Sequence, residues 1–494
     1  MRLLVRRATI VLALIVITLA GCVTPPPSTP DHDAAQMPQG YSLDCAIARP
    51  NATWPETCVA FASPNESPSK TEVDAAANPR DPMNVVIASK DLDRKASPCV
   101  WAVAQVSKDG GASWRTSYVG GDLASRKPGD PLYGWTCITD PIMTFDADGV
   151  LYYSLQASRQ GAITDAPIPG LPAPVPVGVP SGGNMYMARS NDGGLTWSKI
   201  IVLLPGDGAA VFHDFMRMAW NPKTKSVYTI WNQYTGTGPA ATVLPVLVAS
   251  RDGGESADAP VYPATRDFPS GIENRGMAVA KDGTVYIALD GGTQGLVQSS
   301  TDDGKTWSAP VSFAKFDPIP RMKGNNTYRS GTNMEIAVDN SGGARDGWLY
   351  ATWGDIHDNQ TDIHMAVSKD KGKTWSAPMH TAEGAHAVGD QWMPRPLVDA
   401  RGTLHMVYFT KEFDPANWAI DAMWAASTDG GATWTHARLT TTSFDGGLGI
   451  HQFGGPFIGD YLGISASGDS IYMGFPTTVT GRAELGVAKV VYRG

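Results

Sequence analysis

Eight residues recur along this chain. "SKDGGASW" begins at Ser107, "SNDGGLTW" at Ser190, "STDDGKTW" at Ser300, "SKDKGKTW" at Ser368 and "STDGGATW" at Ser427. A sixth copy, "SRDGGESA" from Ser250, has lost the tryptophan. A recurring short motif means a repeated structural unit, stacked to bury a face that no unit can bury alone. A second signal runs in step with the first. It is a polar turn followed by an apolar, mostly aromatic strand, with matching positions at Val86, Tyr152, Tyr228, Tyr286, Tyr350, His405 and Tyr472. Their intervals are 66, 76, 58, 64, 55 and 67 residues.

Each unit reads as inner strand, turn, second strand, third strand, repeat turn and outer strand. That is one four-stranded blade. Glycine (53), proline (37) and tryptophan (15) are abundant and charged residues only 18%, which favours turns and short strands over long helices. The prediction is an all-β chain of seven blades. The seventh unit runs into "AELGVAKVVYRG" and lacks an outer strand, which the N-terminal "CVAFAS" could supply, closing the ring and removing two sheet edges.

The S-x-D-x-G-x-[ST]-W motif resembles the Asp-box, or BNR repeat, of the sialidase superfamily of β-propellers. The resemblance implies a β-propeller, with six blades, as in catalytic sialidases, the alternative to seven. It also places the repeat turns on the periphery, away from the active face. Their residue types fit that role. Asp109, Asp192, Asp302, Asp370 and Asp429 can accept backbone N–H groups, glycine supplies the positive φ, and Trp114, Trp197, Trp307, Trp375 and Trp434 can plug gaps between sheets. The acids at Asp302 and Asp303 are a poor calcium set beside a full ligand loop, so no metal is expected there.

The N-terminus reads as an export signal. Arg2, Arg6 and Arg7 precede "ATIVLALIVITLA", a run too short for a comfortable membrane span. Leu19-Ala20-Gly21-Cys22 resembles the lipobox of bacterial lipoproteins, which implies lipidation of Cys22 and anchoring at the outer face of a membrane. The expected organisation is a signal at 1–21, a proline-rich tether at 22–42, and one propeller domain at 43–494. A proline-rich insertion at 163–183 would be a surface loop or a partner-contact lip. Without Arg2, Arg6 and Arg7 the formal charge of −9 becomes −12, which disfavours nucleic acid and anionic membrane surfaces. The membrane is then reached through the lipid alone, and a monomer is expected. Cys45, Cys58, Cys99 and Cys137 allow three pairings, of which the local Cys45–Cys58 and Cys99–Cys137 are favoured. Zinc-site spacing, P-loop, dinucleotide and nucleophilic-serine motifs are missing from the sequence, so no cofactor is expected.

Ligands of a ring of blades sit at one channel mouth, so the residues heading the inner strands are the candidates. They are Glu72 and Asp74, Asp140, then His213, Asp214 and Arg217, then Glu273 and Arg275, Arg329, Arg395, and Asp460 with Tyr461. Acids head the first three blades and the last, and arginines blades four to six. Converging guanidinium forks suit a carboxylate. The sialidase resemblance implies Arg275, Arg329 and Arg395 as binders of an acidic sugar, with Asp214 and Asp460 beside them. It implies Tyr461 as nucleophile and Asp74 or Asp140 as acid. The [FY]-R-I-P motif of sialidases is missing. The function expected is binding, and with it hydrolysis, of acidic glycans; the alternative is a non-catalytic lectin, scaffold or envelope assembly propeller. In the bland alternative the same charges pair across the channel and stiffen the ring.

Overall fold

The computed structural model describes residues 39–43, 59–61, 70–91, 100–122, 125–158, 183–206, 211–236, 242–263, 271–319, 322, 328, 330–357, 360–381, 389–452 and 455–493. The signal, Cys22, most of the tether, most of the insertion, Arg329, Cys45, Cys58 and Cys99 lie outside them. Cys137 is disulfide-bonded, to a partner that also lies outside them.

The chain is a seven-bladed β-propeller. Blade 1 is Lys70–Ala77, Val85–Asp91, Trp101–Ser107 and Arg115–Tyr118. Blades 2, 4, 5 and 6 repeat that antiparallel order, with inner strands Cys137–Phe145, Glu273–Val279, Met334–Val338 and Gln391–Val398. The inner strands pack in cyclic order, the last of them, Gly463–Ser467, against Lys70–Ala77. Blade 3 has three strands among the described residues, from Val211–Trp220 to Thr242–Ser250. Its repeat turn is the copy without tryptophan. The next segment carries Pro260 and Pro263, which cannot donate to a ladder, and among the described residues it forms the single bridge Leu247–Val261.

Ring closure follows the predicted route and goes further. Val59–Phe61 pairs antiparallel with Glu484–Tyr492, the third strand of blade 7, and Tyr41–Leu43 pairs with the end of the same strand. Tyr41 and Ser42, at the end of the stretch read as tether, therefore lie in a strand of blade 7. Tyr41 also explains the odd residue among the blade tyrosines. In blades 2 and 3 the hydroxyls of Tyr152 and Tyr228 hydrogen-bond to Asp146 and Asn221 in the preceding turn. Blade 6 has His405 there. Tyr41 packs edge-on against His405 and donates instead to Asp399 of that turn, at 2.6 Å.

All six repeat turns make the same bonds. In the first, the Ser107 hydroxyl donates to Asp109 at 2.7 Å and accepts the Gly111 N–H. Asp109 also accepts the Ser113 N–H at 2.8 Å and the Ser113 hydroxyl at 2.6 Å. The copy at Ser250 keeps the set, so the loss of its tryptophan leaves the turn itself intact. Hydroxyl and backbone donors hold Asp302 and Asp370 down to about 2.

Each turn docks on the preceding blade. Trp197 donates to Ser117 of blade 1, and Trp375 packs on Phe313 of blade 4 with ring centroids 5.3 Å apart. The turn's fourth residue has φ of 64° to 79°, and four of the six are glycine. The other two spend their side chains on the neighbour. Lys371 pairs with Asp282 of blade 4 at 2.7 Å. Asp303 accepts from Thr224, Ser226, Tyr228 and Arg251 of blade 3. The second acid of "STDDGKTW" is a clamp onto the blade that lacks its own tryptophan plug.

Two substitutions test these fastenings. Tyr41→Phe removes the bond to Asp399, and Asp303→Asn weakens a hydrogen-bonded ion pair. Each is expected to cost about 1–2 kcal/mol, read as a lower urea midpoint at unchanged slope.

Candidate active site

Five inner strands slip register at the same height, where two residues oppose one on the second strand. The slips fall between Thr71 and Asp74, Thr139 and Ile142, Asp214 and Arg217, Asn274 and Gly276, and Trp392 and Arg395. In four of them the first bulge residue is left-handed: Glu72 (φ 53°), Asp140 (56°), Phe215 (55°) and Met393 (62°). Such conformations cost about 1–3 kcal/mol each in side chains with a Cβ and collect at functional sites. Here they interrupt the ladder, which resumes toward the strand heads, and set two layers of side chains there.

The deeper layer is ionic. Arg217 of blade 3 donates to Glu335 of blade 5 at 2.9 Å through Nε, and Arg395 of blade 6 donates to the same carboxylate oxygen. Arg395 lies 3.8 Å from Asp74 of blade 1, whose other oxygen accepts the Met143 N–H of blade 2 at 2.8 Å. Tyr461 lies against this layer. Its hydroxyl is buried and donates to the Pro141 carbonyl at 3.3 Å, the Arg217 guanidinium sits 5.1 Å from its ring centre, and burial pushes the phenol well above its ordinary range.

The upper layer is a carboxyl cluster. Lys90 pairs with Glu72 at 2.8 Å. Thr139 donates to Asp140 at 2.8 Å and lies 3.3 Å from Glu72. Asp140 accepts the Phe215 N–H of blade 3 at 3.0 Å and is hydrogen-bonded carboxyl to carboxyl with Asp214. Burial and the neighbouring Asp140 charge raise Asp214 well above the carboxylate range. Burial pulls Asp140 the same way, but the Asp214 proton and Lys90 outweigh it and keep Asp140 ionised. Burial also pushes Glu72 up to about 8, with Asp140 and Asp460 adding to the effect and Lys90 opposing it. At neutral pH the cluster thus holds protonated and ionised carboxyls side by side.

Beside it Arg275 pairs with Glu273 and lies 3.4 Å from Asp290, both of its own blade. Tyr234 donates to Glu273 at 2.7 Å and faces Phe212, their ring centres 5.9 Å apart. Arg275 and Arg395 are therefore held by different acids in different layers. Asp140 and Asp214 come together, and Asp460 contributes its charge to the same group. His213 is buried and accepts from the Trp231 indole at 2.9 Å. Two participants were passed over in the sequence. Glu335 is the lone charge inside "MEIAV", which was the available signal, whereas Lys90 stands beside Asp91 at the end of "VVIASKD" and has no such mark.

The fold and this site define the class: a seven-bladed propeller with a buried carboxyl cluster at the heads of its inner strands. No family model matches the chain. It is 25% identical over 323 residues to a xyloglucanase of a Paenibacillus species, covering 62% of this chain and 26% of that protein. It is 29% identical over 168 residues to a sialidase of Bacteroides fragilis strain YCH46, covering 29% of each. The chain thus spans less than a third of the length of these curated relatives. Among solved structures, the NanB sialidase of Streptococcus pneumoniae superposes with a TM-score of 0.47 at 11% identity, covering 83% of each chain.

Glu72 makes stability depend on pH. Its folded-state pKa lies above its ordinary 4.5, so the folded state binds the extra proton. The contribution is complete below about 4.5 and is lost as pH rises to about 8. Unfolding free energy is expected to fall across that window, and Glu72→Gln to flatten the slope. Urea titrations at a series of pH values read both.

Proposed function

We propose that the chain binds and hydrolyses glycans at the head-face mouth, with Asp214 as the proton donor and Asp140 holding its proton in place. One arrangement carries this reading: Asp214 meets Asp140 at the strand heads, and burial with the Asp140 charge raises Asp214 well above the carboxylate range. A carboxyl kept protonated at neutral pH is what proton donation to a glycosidic oxygen requires. Asp214 is the more accessible and holds the proton, so it is the donor to the leaving oxygen as the anomeric C–O bond breaks. Asp140, buried and in contact with Asp214, stands too close to it to leave the about 6.5–9.5 Å that an activated water needs. It holds the Asp214 proton in place, and the water that bonds to the anomeric carbon returns its proton to the Asp214 carboxylate. Tyr461 serves as a wall of the site, because an attacking phenolate would have to ionise in a buried place beside Asp74, Asp140 and Glu72. Similarity to a xyloglucanase and a sialidase, both named for acting on glycans, supports the reading.

A second reading, glycan binding without turnover, is favoured by the backbone bond from Phe215 to Asp140, which gives that carboxylate a structural task. Asp214→Asn separates the two. If Asp214 is the donor, release of 4-methylumbelliferone from a responsive glycoside falls by about 10²-fold or more while unfolding is unchanged. Wild-type protein that binds oligosaccharides and cleaves none of a broad glycoside panel establishes the lectin. The Cys22 motif further supports a lipid-anchored protein outside the membrane. Radiolabelled palmitate entering the wild type and not Cys22→Ser is the expected result.

A further inference from the structure

A second cavity opens on the same end of the ring as the mouth, further out, between blades 4 and 5. It measures about 460 Å³, within the roughly 300–1,000 Å³ of small-ligand sites. Blade 4 supplies Thr293 from the turn between its second and third strands, and Lys315, Phe316 and Asp317 from the end of its outer strand. Blade 5 supplies Asp355, His364 and His380.

The walls are pre-set. His364 and His380 are opposite one another in the ladder, with ring centres 4.3 Å apart, and His364 stacks at 5.9 Å on the buried Trp353. Asp355 accepts the Asp317 N–H at 2.8 Å, and the Phe316 N–H donates to the Thr293 carbonyl at 3.1 Å. The first bond ties the rim of blade 4 to blade 5, and the second closes the rim of blade 4 on itself. The cavity offers flat rings for the apolar face of a pyranose, carboxylate acceptors for paired hydroxyls, and Lys315 and Thr293 as donors. Two acids against one lysine leave no surplus positive charge for a carboxylated ligand.

The two places are linked along the head face. Asp290, which pairs with Arg275 beside the carboxyl cluster, also accepts the Gly292 N–H at 2.8 Å, in the turn that carries Thr293 into the cavity. We propose that the cavity between blades 4 and 5 is a binding subsite for an uncharged sugar unit of an oligosaccharide whose other end lies at the mouth. The joint use of both places rests on the glycan reading of the mouth, whereas the cavity's affinity for sugar stands on its own lining.

Calorimetry on the full chain with cellohexaose, cellobiose and 3′-sialyllactose tests it, using wild type, His380→Ala, His380→Phe and Asp214→Asn. His380→Ala is expected to weaken cellohexaose binding by about tenfold, with His380→Phe restoring much of it and cleavage of short aryl glycosides unchanged. Unaltered cellohexaose affinity in His380→Ala overturns the subsite even if the mouth turns out to be active. Loss of affinity in His380→Ala with no activity and no effect of Asp214→Asn retains the cavity and removes the glycan reading of the mouth. Preference for 3′-sialyllactose at the cavity overturns the uncharged class. Tight binding of Zn²⁺ alone to the histidine pair, with no sugar affinity, overturns the proposal and makes the pair a metal site.

Discussion

Asp74 and Asp140 each accept a backbone N–H from the inner strand of the next blade, Asp74 from Met143 and Asp140 from Phe215. The bulges depend on these bonds and on their neighbours. A bulge leaves backbone groups outside the ladder, and buried backbone groups must find partners. A carboxylate from the adjacent blade meets that need and at the same time fixes the angle between blades. The acids are therefore buried for a structural reason; burial raises Asp140 and Asp214 alike, and their contact with each other, with Lys90 beside Asp140, sets their protonation states apart. Fold and candidate chemistry share one cause.

Charge pairing across the channel completes the arrangement. Arg217 and Arg395 meet on Glu335, so blades 3, 5 and 6 are tied through a single carboxylate. Removing any one member would strand buried charge on the others, which costs far more than the pair itself contributes. This layer lies beneath the carboxyl cluster and is itself largely buried. It also engages Arg395, one of the arginines that the sialidase resemblance assigns to a carboxylated sugar.

At the rim the chain adapts the same turn to local need. Asp252 and its partners keep the hydrogen-bond set where the tryptophan is gone, and Asp303 of the next turn reaches back to hold that blade. Blade 7 has no repeat turn of its own to lay on blade 6. Tyr41 fills the space beside His405 in its place. The blade order, the peripheral role of the turns and the closing strand near "CVAFAS" were legible because each rests on local chemistry: serine, aspartate and glycine at set spacings, or an unmatched strand. Tyr41 was not, since its partner Asp399 lies 358 residues away. The strand heads were legible as a list of residues. Their pairing was not, because three arginines in consecutive blades give no sign of which acid each will meet.

By itself the sequence determined the repeat, its seven units and the places where chemistry could sit, since these follow from short-range periodicity and turn geometry. Only the tertiary structure decided that Arg395 belongs to Glu335 and Asp74, Arg275 to Glu273 and Asp290, and that Asp140 and Asp214 meet. Those choices depend on the inclination of neighbouring blades and on one-residue bulges. A shift of one residue reverses which face a side chain occupies, and no local pattern reports which partner then stands opposite.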